Sequence, residues 1–304
     1  MKQAVVVSTA RTPIGKAYRG AWNNTEGPTL AAHAISHALE RAEISPDEVE
    51  DVILGCALQQ GTTGNNVGRL AAMASGMPVS VPGMSVNRQC SSGMVAIGLA
   101  ANAVANDEMD VVVAGGLESI SLVQNEHMNN YRGEDPNVLS HAQHSYMSMI
   151  ETAETVSKRY GIERAAMDEY GVQSQARTAA AQQAGRYRDE IVPMTSTKML
   201  VNKETGEVGY EEVTLDKDEG NRPGTTFENL QGLRTVFEGG VIAAGNASQL
   251  SDGASASVIM SSDVAEKKGL QPLGAYLGLA VSGCEPDEMG IGPVFAVPKL
   301  LAKH

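Results

Sequence analysis

Through its first third the chain alternates short apolar runs of β type with longer segments of helical periodicity. Strands are predicted at residues 4–7, 52–54, 83–86 and 111–114, with helices at 29–42, 66–75 and 91–105 between them. Such alternation argues for an α/β fold with a mostly parallel sheet and helices on its faces. The segment 91–105 is apolar nearly all round, with Met94, Val95, Ile97, Leu99 and Val104 among alanines. A helix without a polar face is one buried between layers.

Between residues 124 and 148 the pattern breaks into polar, Gly/Pro-punctuated sequence carrying Met128, Tyr131, Tyr146 and Met147. That is too long for an ordinary connection and reads as a functional excursion. Helices are predicted at 150–160 and 164–186, then a short strand at 191–192. Residues 202–229 are charged and turn-rich. Strands are expected at 241–244, 254–260 and 275–281, with a helix at 262–268 and another over 294–303. One strand and part of one helix after residue 270 read as the start of an unfinished domain.

The 304 residues and 42% apolar content are those of a packed globule. A net charge of −13 without any Lys/Arg run excludes a nucleic-acid partner on electrostatic grounds. No apolar stretch reaches the ~20 residues of a membrane span, and the N-terminus has no signal core. A soluble chain, off the membrane, is expected. Three scattered cysteines suit a reducing cytoplasm. Aromatics are only 4% while glycine reaches 32 residues, so the core must pack by close backbone approach.

The chemistry centres on Asn87-Arg88-Gln89-Cys90-Ser91-Ser92-Gly93-Met94, which leads from a strand through a polar turn into the apolar helix. Unpaired N–H groups and the positive dipole end at a helix start favour a thiolate. Cys90 is thus a candidate nucleophile, against the alternative of a small core residue. Cys56, inside an apolar run, fits the core alternative better, and Cys284 fits either.

This stretch resembles the acyl-enzyme cysteine motif of the thiolases. The resemblance extends to Ser8-Thr9-Ala10-Arg11-Thr12-Pro13, Ala114-Gly115-Gly116-Leu117-Glu118-Ser119, Ala244-Gly245-Asn246-Ala247-Ser248, Asp252-Gly253-Ala254 and Met289-Gly290-Ile291-Gly292-Pro293. It implies a layered αβα fold with a mixed sheet and a buried helix. A core domain would take residues 1–120 and 241–270, an inserted loop domain 121–240, and the start of a truncated second half 271–304. The implied activity is acyl transfer between coenzyme A thioesters, as in fatty acid metabolism, with Cys90 carrying the acyl group. The implied partner is acetyl-CoA or another acyl-CoA, as substrate rather than cofactor. A homodimer or homotetramer is also implied, paired through the edge strand at 83–86.

Residue by residue, Arg222 matches the adenine-stacking guanidinium and Ser248 the serine that meets the pantetheine amide. Leu233, Phe237 and Ala244 match the apolar wall beside it, and Met149 and Met289 match pocket methionines. Ser148 stands where some acetoacetyl-specific relatives have histidine, which leaves the acyl chain length open.

The family's Gly-His-Pro turn, its Asn-Glu-Ala-Phe segment and its Cys-x-Gly turn do not occur in these residues, and neither His304 nor Cys284 is given their roles. His33 and His37 lie four apart on a helix without a third ligand, while His127, His141 and His144 have no fixed spacing, so no metal is expected. The glycine pairs lack the dinucleotide fingerprint, so no nicotinamide cofactor is expected. The rival reading, favoured by the same missing motifs, is an acyl-CoA-binding or assembly module of thiolase descent that does not turn over.

Overall fold

The computed structural model describes residues 2–304. In chain order the elements are β1 (Ala4–Arg11), β2 (Gly15–Lys16), α1 (Gly27–Arg41), β3 (Asp51–Gly55), α2 (Val67–Ala74), β4 (Met84–Val86), α3 (Ser92–Ala105), β5 (Val111–Glu118), α4 (Ile120–Val123) and α5 (Pro136–His141). There follow α6 (Met149–Tyr160), α7 (Arg164–Gln183), β6 (Met194–Val201), β7 (Val208–Leu215), α8 (Phe227–Gln231), β8 (Ser251–Ser261), α9 (Ser262–Lys267), β9 (Gly274–Ala275) and α10 (Gly292–Leu301). They form two compact units. The first takes residues up to 129 with 187–220 and 250–277, and the second takes 130–186, 221–249 and 278–304.

The first unit is built on a sheet in the order β4-β3-β5-β8-β1-β9, with β2 pairing β8. β3 is parallel to β4 and β5, but β8 is antiparallel to both β5 and β1, and β9 is antiparallel to β1. The sheet is therefore mixed rather than mostly parallel. The β-helix-β crossovers give β1, β3, β4 and β5 a common direction, and β8, arriving from far along the chain, enters between β5 and β1 the opposite way.

Both faces of this sheet are buried, which is why its strands read as unbroken apolar runs. With the period of two, Val52, Leu54, Val111, Val113 and Val258 pack with Leu30 and Ile35 of α1 and Val67 of α2. Ile53, Val112, Ala114 and Ile259 pack with Ala96, Ala100, Ala101 and Val104 of α3. The inner side of α3 is covered as its composition predicts. Its outer side is not: Met94 is 64% and Leu99 39% exposed, because a layer packs on only one side of this helix.

Close approach replaces bulk at the carboxyl end of the strands. A Cβ on Gly55 would lie 2.2 Å from the carbonyl carbon of Ser92, and one on Gly115 would lie 2.0 Å from the Ser255 oxygen. Glycine at 55 lets the first turn of α3 rest directly on the end of β3.

Three strand expectations need correction. Residues 194–201 and 208–215, the latter inside the segment read as turn-rich, form the β6–β7 hairpin in register from Met194↔Leu215 to Val201↔Val208. Its polar outer face hid the alternation, though Gly206 in the left-handed region (φ 75°) marks the turn. Residues 241–244 form no strand. The Val241 and Ile242 N–H groups donate to Glu154 and that of Ala243 to Asn246 Oδ1, so side chains take the place of a ladder. The expected strand 275–281 stops at Ala275, and one further bond, from the Tyr276 N–H to the Ala4 carbonyl at 2.9 Å, is the last it makes with its antiparallel partner β1, which begins at Ala4.

The second unit is helical. α6 opens with a capping box in which the Ser148 side chain accepts from the Glu151 N–H and the Ser148 N–H donates to the Glu151 carboxylate. It closes near Arg159, which forms ion pairs with Asp287 and Glu288 at 2.6 Å each. The guanidinium holds both carboxylates below their ordinary range. Among the described residues no helix is long and apolar enough to cross a membrane.

The glycine contacts give a paired expectation. Gly55→Ala should cost about 1–3 kcal/mol, the usual scale of overpacking against a backbone that must shift, read as a lower urea midpoint. Gly209→Ala on β7, where an added Cβ meets nothing within 4 Å, should leave the midpoint unchanged or slightly raised.

Candidate active site

The turn before α3 is wound by its own polar groups. Gln89 is held in the left-handed region (φ 48°), its N–H donating to Asn87 Oδ1 at 2.8 Å. The Arg88 N–H donates to Ser92 Oγ at 2.8 Å, and the Ser91 hydroxyl donates back to the Arg88 carbonyl at 2.9 Å. Cys90 stands at the outside of this turn and is exposed. It borders a cavity of about 380 Å³ at the carboxyl ends of β3 and β5, shared with Arg11, Thr12, Cys56, Glu118 and Asp252. That is the edge at which open α/β sheets place their ligands.

The two thiols on this cavity differ sharply. Cys56 is 1% exposed and its Sγ donates to Glu118 Oε1 at 3.3 Å. Burial, reinforced by the charge and hydrogen bond of Glu118, pushes its thiol up to about 12. It is a neutral core thiol, as its apolar run suggests, and not a nucleophile. Asp252, also 1% exposed, accepts from the Ser121 N–H at 2.9 Å and from the Ser121 hydroxyl. Burial raises its carboxyl above the ordinary value, with the Ser121 bonds opposing. The sequence offered Glu118 and Asp252 only as members of quoted motifs, because nothing in spacing shows which carboxylate will be folded inward.

The remaining site candidates all belong to the second unit. Ser148 is spent on capping α6. Met149, 60% exposed, and Met289, 41% exposed, share a cavity of about 350 Å³ with Met147, His144 and Cys284. Leu233, Phe237, Ala244 and Ser248 are exposed along 233–248, and Arg222 is exposed with its N–H donating to Gln175 Oε1 at 2.8 Å.

What orders that region is a carboxylate the sequence reading did not single out. Asp168, fully buried, accepts from Arg164 Nε at 2.6 Å, Gln231 Nε2 at 2.8 Å and Asn246 Nδ2 at 3.0 Å. Arg164 continues to the carbonyls of Leu230 and Leu233. The i,i+4 spacing of Arg164 and Asp168 was the available signal, but on sequence it reads as a solvated pair.

The model of the thiolase N-terminal domain matches residues 4–263. The chain belongs to the thiolase family. It is 38% identical over 302 residues to the 3-ketoacyl-CoA thiolase of Bacillus subtilis, covering 99% of this chain and 76% of that protein. To the acetyl-CoA acetyltransferase of Cupriavidus necator it is 38% identical over 314 residues, covering 100% and 77%. The crystal structure of the Bacillus anthracis acetyl-CoA acetyltransferase matches with a TM-score of 0.83 at 36% identity, over 98% of this chain and 75% of that one. The α/β thiolase fold expected from the motifs is the fold found, and the family is one of acyltransferases.

In this thiolase, iodoacetamide should modify Cys90 well before Cys56, read by peptide mass mapping over a pH series. Cys56 should resist until the chain opens. Its folded value lies above that of an unfolded cysteine, about 8.5. The stability it contributes is therefore intact below that pH and lost as pH climbs toward about 12. Equal labelling of both thiols at pH 8 would contradict the assignment.

Proposed function

We propose that this chain performs acyl transfer between coenzyme A thioesters with Cys90 as the acyl-carrying nucleophile. The observation that supports it is the exposed Cys90 thiol on a cavity at the strands' carboxyl edge, beside a second thiol held neutral. The step is thiol–thioester exchange. The Cys90 thiolate adds to the thioester carbonyl, the new C–S bond forms as the old one breaks, and coenzyme A leaves as its thiolate. Sulfur suits both halves, because it attacks readily and departs readily.

In the same reading Arg222 stacks on the adenine, Ser248 meets the pantetheine amide, and Leu233, Phe237 and Ala244 form the wall beside it. Ser148, Met149 and Met289 belong to the acyl side. A homo-oligomer is part of the reading, supported by β4 lying at the sheet's edge. So is a reducing cytoplasmic setting, supported by three unpaired cysteines. A role in fatty acid metabolism follows the family's substrates.

The second reading, an acyl-CoA-binding module without turnover, is favoured by one observation: among the described residues no histidine lines the cavity that holds Cys90. Claisen chemistry needs a base for the α-proton, and losing such a group typically costs about 10²- to 10⁴-fold. A polypeptide of these 304 residues should accordingly take one acetyl group from acetyl-CoA onto Cys90, seen by intact-mass and peptide spectra, without sustained cleavage of acetoacetyl-CoA. Cys90→Ala should abolish the adduct. An adduct on another residue overturns the acyl-enzyme reading, and turnover at an ordinary enzymatic rate overturns the binding-module reading.

Coenzyme A contacts are testable by calorimetry. Arg222→Ala and Ser248→Ala should each weaken binding about five- to tenfold, equivalent to roughly 1 kcal/mol. Unchanged affinity in both removes the assignment.

A further inference from the structure

The nucleophile's turn is tied to a carboxylate that the chemistry above does not use. Glu118, at the end of β5, spreads its two oxygens over one short loop. Oε2 accepts from the Ala57 N–H at 2.9 Å, and Oε1 accepts from the Leu58 N–H at 3.1 Å and from the Cys56 thiol at 3.3 Å. The Ala57 peptide so fixed presents its carbonyl to Asn87, whose Nδ2 donates to it at 2.8 Å. The other end of the same amide, Oδ1, receives the Gln89 N–H at 2.8 Å. Gln89 is the residue with φ 48°, in the left-handed region that is costly for a residue other than glycine. Cys90 is the next residue.

We propose that Glu118 is a positioning residue for Cys90, acting through the Ala57 peptide and the Asn87 side chain to hold the strained Gln89 turn. This rests on the reading of Cys90 as the acyl-accepting nucleophile. The physical case is one of counting anchors. Asn87 is exposed on the turn, and an exposed amide orients a backbone only if its other end is gripped. The grip is the Ala57 carbonyl, whose own peptide is anchored because the carboxylate takes its Leu58 N–H, and the peptide before it is anchored through the Ala57 N–H. Charge-assisted bonds of this kind are roughly twice as strong as neutral ones. The Cys56 thiol adds a third donor and, held neutral, keeps a second negative charge away from Glu118. Glutamine at 118 retains the shape, but each Glu118 oxygen faces donors, so its NH₂ meets an N–H where glutamate accepts one, and it should release part of what glutamate holds.

The expected consequence is kinetic. Misplacing a reacting atom by about 1 Å costs on the order of a hundredfold in rate, so Glu118→Gln and Asn87→Ala should each slow acetylation of Cys90 by acetyl-CoA ten- to a hundredfold. Two groups acting through one chain of contacts do not add. The double variant should be no slower than the worse single one.

A second measurement does not depend on acylation. Cys90 is alkylated with bromotrifluoroacetone, its ¹⁹F resonance being assigned with Cys90→Ala, and circular dichroism verifies the fold of each variant. The intact protein should give one resonance displaced from the free-thiol adduct. Both variants should give resonances broadened or moved toward that adduct. Asn87→Ala, being on the surface, keeps the test available if Glu118→Gln unfolds.

Unchanged resonances in the folded variants overturn the proposal, as do additive rate losses. If the intact protein is not acetylated at Cys90, the acyl-enzyme reading fails, and the fluorine spectra still decide whether Glu118 holds the turn.

Discussion

The site depends on one backbone-to-backbone contact, the seating of the first turn of α3 on the end of β3. A Cβ at Gly55 would fall 2.2 Å from the Ser92 carbonyl carbon, a distance no side chain tolerates. The contact sets how far α3 protrudes beyond the sheet and hence where the turn carrying Cys90 opens. Gly115 does the same between β5 and β8. With almost no large aromatic side chains to wedge layers apart, the sheet and α3 approach until alanines and glycines touch, and position is set by hard contact between main chains.

The acidic composition takes on another meaning in the fold. On sequence the surplus of carboxylates served only to exclude polyanionic partners. In the structure many of them are fasteners for loop amides. Glu154 accepts from Val241 and Ile242, Asp218 accepts from the Ile14 N–H, Glu219 accepts from the Ala21 N–H, and Glu50 accepts from the Asp110 N–H. Loops that would otherwise need water or a strand partner are satisfied by side chains from distant segments.

This explains what was legible in the sequence. Helices and central strands announced themselves because α3, β3 and β5 carry period and composition that only packing on a sheet can use, and Cys90 stood out by its strand-turn-helix setting. Residues 241–244 misled because Val-Ile-Ala-Ala looks like a strand to any local rule, and the carboxylate that captures its amides lies 87 positions away in sequence. Asp168 was invisible for the same reason. Its partners Gln231 and Asn246 come from other segments, and an aspartate on a polar helix gives no local sign of burial. The β6–β7 hairpin was hidden by Thr and Glu on its outer face, where β propensity is expressed in polar residues.

The topology also orders events in time. β1, the first of the strands described, has no neighbour among the strands that follow it closely. It is flanked by β8 and β9, and Val5 pairs with Met260. At roughly 5–20 residues per second of synthesis, that gap of about 250 residues is on the order of ten to fifty seconds, during which β3, β4 and β5 can assemble but β1 has no ladder to join. Its hold meanwhile comes from α1. The Ser8 hydroxyl donates to the Ala38 carbonyl at 2.6 Å, and Arg41 Nη1 donates to the Thr9 carbonyl at 2.6 Å. These two bonds tie the strand to its own helix, and β8, by filling the space between β5 and β1, is what joins that strand to the rest of the sheet, leaving only the short β9 to be added at the edge.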